Sequence, residues 1–203
     1  CENGWYNTKT DISQFRNNAY INNENYMLKG DSLFYNKKTA YGKAIGNVEV
    51  IDNKEDITIF GGIAEYFEKN QFIEITKKPL LQIVFEKDTL FMHSKKFLSQ
   101  EKSGEKEILA FNNVKFFKKD LQGKCDSLSY NLRDSTIIMF HNPILWANKI
   151  QITADTLRFL TYSKKIDRIF LENKPLIITK EDSIDYNQIK GKEMTMYFYD
   201  NKI

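Results

Sequence analysis

Gly30-Asp31-Ser32-Leu33-Phe34-Tyr35-Asn36-Lys37-Lys38 is followed a few residues later by Asn47-Val48-Glu49-Val50. The first stretch begins with an acid and a hydroxyl and ends with an aromatic residue, an amide and two lysines. Asp followed by Ser suits a corner, because short oxygen-bearing side chains bond to nearby backbone groups. The second stretch alternates apolar and charged residues. Val48 and Val50 flank Glu49, just as Ile73 and Ile75 flank Glu74 and Ile150 and Ile152 flank Gln151. A period of two places such apolar residues on one face of a strand. The passage therefore reads as strand, tight polar turn, strand, bend and strand.

The same phrases return along the chain. The turn phrase, a large apolar or aromatic residue leading a short polar stretch, recurs as Tyr6-Asn7-Thr8-Lys9, Phe67-Glu68-Lys69-Asn70, Met92-His93-Ser94-Lys95, Tyr130-Asn131-Leu132-Arg133, Phe159-Leu160-Thr161-Tyr162 and Tyr199-Asp200-Asn201-Lys202. Its spacing is irregular but centred near thirty residues, a period typical of stacked repeats. A second phrase follows each turn: Asn18-Ala19-Tyr20-Ile21, Lys78-Pro79-Leu80-Leu81, Asn113-Val114-Lys115-Phe116, Asn142-Pro143-Ile144-Leu145 and Lys174-Pro175-Leu176-Ile177. All three prolines of the chain occupy this one position of the repeat. Proline is tolerated in a sheet only at an edge or at the first residue of a strand, so these sites mark where strands begin. A third phrase, Asp-Ser/Thr-Leu, recurs at Asp31, Asp88, Asp126 and Asp155, which are read as structural corners.

Units of this size cannot close a core alone and must stack to share one. The expected fold is all-β, an elongated antiparallel body with two facing sheets and side chains packed between them. Its ends are open sheet edges, competent to pair with another copy or a partner. Helix signals are poor. The best stretch, Asp88 to Lys102, also carries Asp-Thr-Leu and is read as strand.

Composition agrees and excludes other classes. Hydrophobic residues make up 41% and charged residues 28% of 203 residues, which is globular and not disordered. Aromatic residues reach 14% with only nine Gly and three Pro, favouring extended structure. The net charge of +3 and the scattered lysine pairs leave no basic stripe, so no nucleic-acid partner is expected. No apolar run approaches the roughly 18 residues of a membrane helix. Cys1 and Cys125 are too few for a disulfide framework or a four-cysteine zinc module, and one bridge or none stays open. A chain that starts at Cys1 reads as processed or as cut from a longer protein.

The phrases Leu28-Lys29-Gly30-Asp31-Ser32-Leu33-Phe34-Tyr35 with Gly46-Asn47-Val48-Glu49-Val50, and Asp126-Ser127-Leu128-Ser129-Tyr130 with Asn142-Pro143-Ile144-Leu145, resemble the OstA-like, LptA-type family of lipopolysaccharide transport. The resemblance runs from Gly4 to Lys202. It implies a taco-like β-jelly-roll built of stacked repeats, located in the periplasm of a Gram-negative bacterium and associated with the outer membrane. It also implies a non-enzymatic bridge whose apolar trough shields acyl chains. The implied partners are lipopolysaccharide or another acylated lipid, and transport proteins or copies of the chain joined by end-to-end strand addition. Residues 1–203 are then a single OstA-like domain and a segment of a longer protein. The alternative is a structural β-repeat module that assembles with copies or partners and carries no lipid.

No catalytic constellation can be assembled from the sequence, and no cofactor or metal is expected. His93 and His141 each sit in a repeat slot, and Cys125 occupies a position that elsewhere holds Gly30 or Ala154. The remaining candidate is the inner apolar face. Alternation nominates Val48, Val50, Ile73, Ile75, Ile83, Phe85, Val114, Phe116, Leu145, Ile150, Ile152, Leu176 and Ile178 as its lining.

Overall fold

The computed structural model describes residues 1–22, 26–52, 54–85, 88–102, 104–162, 165–182 and 184–198. The last turn phrase, Tyr199 to Lys202, lies outside the described residues. The protein is all-β and antiparallel throughout, and the described residues hold no α-helix, only one 3₁₀ turn at Glu68–Asn70. The chain packs as two compact units, Cys1–Gly104 and Glu105–Ile203.

The first unit contains β1 (Asn3–Asn7), β2 (Ile12–Asn22), β3 (Tyr26–Asn36), β4 (Tyr41–Asp52), β5 (Ile57–Phe67), β6 (Phe72–Thr76), β7 (Leu80–Val84), β8 (Thr89–His93) and β9 (Lys96–Lys102). Long strands bend midway, and their two halves pair in different ladders. Ladder A joins β1, the first half of β2, the second half of β3, the first half of β4, the second half of β5, β6 and β9. Ladder B joins the other halves of β2 to β5 with β7 and β8. The ladders share the line of bends. At the strand ends remote from that line, burial and then Glu101, Tyr66 and Glu55 raise the pKa of the Tyr26 phenol. Tyr26 belongs to ladder B, while Tyr66 and Glu101 belong to ladder A. The Tyr26 phenol of ladder B therefore lies near Tyr66 and Glu101 of ladder A, and each ladder buries one face of apolar side chains.

The second unit repeats the plan with β10 (Glu105–Lys118), β11 (Leu121–Asn131), β12 (Thr136–Phe140), β13 (Ile144–Ala147), β14 (Ile150–Thr153), β15 (Thr156–Tyr162), β16 (Lys165–Glu172), β17 (Leu176–Lys180), β18 (Tyr186–Lys190) and β19 (Glu193–Tyr197). Its ladder A runs from the first half of β10 through the second half of β11, β12, β15 and β16 to β19. Its ladder B runs from the second half of β10 through the first half of β11, β13, β14 and β17 to β18.

The bends have a chemical cause visible in the repeat. Each instance of the second phrase is preceded by, or includes, a pair of residues in the left-handed backbone region. These pairs are Asn17–Asn18, Gly46–Asn47, Lys77–Lys78, Asn112–Asn113, His141–Asn142 and Asn173–Lys174, with φ between 44° and 76°. Asn adopts that region at lower cost than most side chains, and Gly at none. The pair turns the strand from one ladder into the other. The facing strand bends over fewer residues, and Asp31 and Asp126 sit there opposite the left-handed pairs. Asp31 accepts hydrogen bonds from Asn47 Nδ2 at 3.0 and 3.1 Å. Asp155 donates its backbone N–H to Asn173 O at 2.9 Å and meets Lys174 Nζ at 3.5 Å.

Asp88 stands elsewhere. It lies in the turn between β7 and β8, where its carboxylate accepts the Thr89 N–H at 2.8 Å and its carbonyl accepts the Phe85 N–H. The bend of that repeat falls after β8, at buried Ser94, whose hydroxyl donates to Lys96 O at 2.9 Å. Met92-His93-Ser94-Lys95 accordingly forms a bend and not a hairpin turn, which accounts for the irregular spacing around it.

Candidate functional site

The inner faces of the two ladders form the candidate site. Inward side chains alternate along each half-strand, as the pleat requires. A bend with a left-handed pair keeps odd-even parity, so Ala44 on one side and Val48 and Val50 on the other are all inward and buried. A bend of the Asp31 type shifts parity by one. In β11, Cys125 and then Leu128 are inward; across the β14–β15 bend, Ile152 and Ala154 give way to Leu157 and Phe159.

Of the nominated lining, Val48, Val50, Ile75, Ile83, Val114, Phe116, Leu145 and Ile152 are buried on the inner face. Ile73 and Ile150 share that face with Ile75 and Ile152 but are half-buried, nearer the strand ends. Phe85 is half-buried just beyond β7. Leu176 and Ile178 point outward, and Ile177 between them is the inward, buried residue. Pro175 is equivalent to Val48, so the inward series there continues through Ile177.

Sequence reasoning missed the other half of the interior, among it Leu33, Phe97, Leu128, Met139, Leu157 and Leu171, all buried. Three of these are the leucine of the Asp-Ser/Thr-Leu phrase: Leu33, Leu128 and Leu157. In these three instances the leucine sits two positions after the bend residue and faces in. The phrase was a signal for interior positions as much as for corners.

Asp52 and Lys106 are among the polar groups on the inner face. Asp52 continues the line of Val48 and Val50 and is buried, with Oδ1 accepting the Lys54 N–H at 3.0 Å. Lys106 continues the line of Ile108 and Ala110 towards the start of β10, and burial pulls its ammonium down to about 8.

Reactive groups do not converge. Both cysteines are free thiols, Cys1 exposed and Cys125 buried. Burial pushes the Cys125 thiol up to about 12, so it holds almost no thiolate and is a poor nucleophile. His93 Nδ1 lies 2.9 Å from Pro79 O, tying two adjacent bends together. Ser127 Oγ and His141 Nδ1 stand 3.5 Å apart, longer than an activating hydrogen bond. Among the described residues, no group of three His, Cys, Asp or Glu side chains could hold a metal ion.

Two outermost strands, β1 and β18, are exposed along their length. Every residue of β1 is exposed, including Trp5 and Tyr6, and so is every residue of β18. In comparisons with known proteins, no family model matches the chain and no curated protein is significantly similar to it. Among solved structures, the chain is similar to LptH, the LptA homologous periplasmic component of the conserved lipopolysaccharide transport device from Pseudomonas aeruginosa. Identity is 9% and the TM-score 0.46, over 54% of this chain and 78% of that one.

Proposed function

We propose that this chain is a non-enzymatic carrier segment in lipopolysaccharide transport to the outer membrane, holding acyl chains between its two ladders. The observation that carries the reading is the run of inward aliphatic side chains, repeat after repeat, on both ladders of each unit. An acyl chain lodged there would gain about 0.8 kcal/mol per buried methylene. The sequence phrases that resemble the LptA-type family support the same reading, and with it a periplasmic location and partners among lipopolysaccharide-transport proteins. Strand addition at exposed β1, or at β18 and β19, would join the chain to those partners or to copies of itself.

A second reading, a structural module that carries no lipid, draws on one specific observation. Ile75, Phe97, Met139, Leu145 and Ile152 are fully buried against the protein's own side chains. Acyl chains would have to displace these contacts to enter. Native mass spectrometry of the chain incubated with lipopolysaccharide separates the two. Retained stoichiometric adducts are expected for a carrier; concentration-dependent oligomers with no adduct would favour the module.

A further inference from the structure

At several places on this protein, outward lysines and arginines are matched across strands by acids. Lys29 meets Glu49 at 2.9 Å, Lys43 meets Glu65 at 3.3 Å, Lys96 meets Glu74 at 3.1 Å and Arg158 meets Glu172 at 2.8 Å. The outward face of ladder B in the second unit departs from this pattern. Lys115 of β10 stands directly opposite Lys124 of β11, and Lys190 of β18 closes the same row at the far side. Like charges in register weaken a sheet, so nothing in the fold itself calls for this pairing. None of the outward positions on this face carries an acid.

The neighbouring row is equally particular. In cross-strand order it reads Phe117, Gln122, Trp146, Gln151, Ile178 and Gln188. Amide and apolar side chains alternate strand by strand, so each kind recurs about every 10 Å across the ladder. Phe117 is 52% exposed and Trp146 37%. The indole donates to Gln151 Oε1 at 2.8 Å, and the Lys124 ammonium lies 5.8 Å from the ring centre, so Trp146 is held in place.

We propose that this face binds an acidic polysaccharide. Sugar rings offer apolar faces for Trp146 and Phe117, and their hydroxyls match the donor and acceptor capacity of Gln122, Gln151 and Gln188. Carboxylates carried on the chain pair with Lys115, Lys124 and Lys190. A membrane surface fits less well, because burying a row of primary amides against lipid is costly. A nucleic-acid strand carries a phosphate at every step and calls for a denser line of cations than Lys115, Lys124, Lys180 and Lys190 provide across six strands. The site lies on the opposite side of the sheet from the apolar interior, and it stands whether or not that interior carries lipid.

The test is a titration of the whole chain, in a Trp5→Phe background, with hexagalacturonate, following Trp146 fluorescence. Saturable quenching that weakens as salt rises is expected, with cellohexaose binding much more weakly. The double variant Lys115→Gln, Lys124→Gln should bind about tenfold more weakly. It should melt no lower than the parent, since it removes a like-charge pair. The proposal is overturned by absence of saturable binding, by affinity unchanged in the double variant, or by equal affinity for cellohexaose. Binding confined to phosphatidylglycerol vesicles or to oligo-dT would overturn it in favour of a membrane or a nucleic acid.

Discussion

Gly46 and Asn47 show how a single pair of residues shapes a strand. Both adopt left-handed backbone, with φ of 76° and 44°, and a Cβ at Gly46 would run into the Asp31 carboxylate across the ladder. Gly46→Ala should therefore lower stability by about 1–3 kcal/mol in denaturant unfolding, through strain and displacement of Asp31. The hairpin turns rest on a different residue. Asn7, Asn36 and Asn131 each accept two backbone N–H groups of the turn that follows, as in Lys38 N and Thr39 N to Asn36 Oδ1 at 3.0 and 3.2 Å. The aromatic residue before each of them is the more conspicuous letter, but the amide shapes the turn. The recurrence of these phrases was legible in the sequence. Which of them turns a hairpin and which bends a sheet was not, because Asn serves both through the same tolerance of left-handed backbone. Asp88, read as a corner, stands between β7 and β8, and Met92-His93-Ser94-Lys95, read as a turn, forms a bend. Thiol chemistry gives a second check at this scale. In the native protein an alkylating reagent should label exposed Cys1 quickly and Cys125 only after unfolding, because burial holds that thiol near 12.

Strands obey the period of two only between bends, and the two kinds of bend treat parity differently. Left-handed pairs preserve it, so Val48 and Val50 could be read correctly from their own alternation. Leu176-Ile177-Ile178 is apolar at every step and carries no alternation to read. There the register of the repeat decides, with Pro175 in the place of Val48 and Ile177 in that of Val50. Ile177→Ala should cost about 2–5 kcal/mol of unfolding free energy and Ile178→Ala under about 1 kcal/mol. Reversed costs would restore Leu176 and Ile178 as lining. The same logic explains the leucines that alternation passed over. Leu33, Leu128 and Leu157 follow bends that shift parity, so a pattern carried straight through Asp31, Asp126 or Asp155 assigns them to the wrong face. All-β class, antiparallel order and the stations of the three prolines follow from the sequence alone; the full lining requires knowing how each bend shifts the count.

Among the described residues, Lys106 is a half-buried titratable group with a readable pH signature. Its pKa falls to about 8 in the folded protein, so between about 8 and the ordinary lysine range the unfolded chain binds more protons than the native one. Stability should rise with pH from about 8 to about 9, where ionisation of the Cys125 thiol in the unfolded chain, held up to about 12 by burial in the folded one, begins to offset the gain. Above about 10 it should fall, because Tyr35 and Tyr41, hydrogen-bonded to Glu68 and Glu65, have phenols raised to about 12 and their unfolded counterparts ionise first. Lys106→Met should remove the rising limb while leaving the fall in place, as read from unfolding midpoints across that range. The same interior that depresses Lys106 is the proposed home of the acyl chains. Photo-reactive side chains placed singly at Ile75, Ile152 and Glu49, in chains incubated with lipopolysaccharide, test that assignment most directly. Adducts at the two inward positions and none at Glu49 are predicted. Adducts at Glu49 alone, or at no position in chains that remain folded, would contradict it.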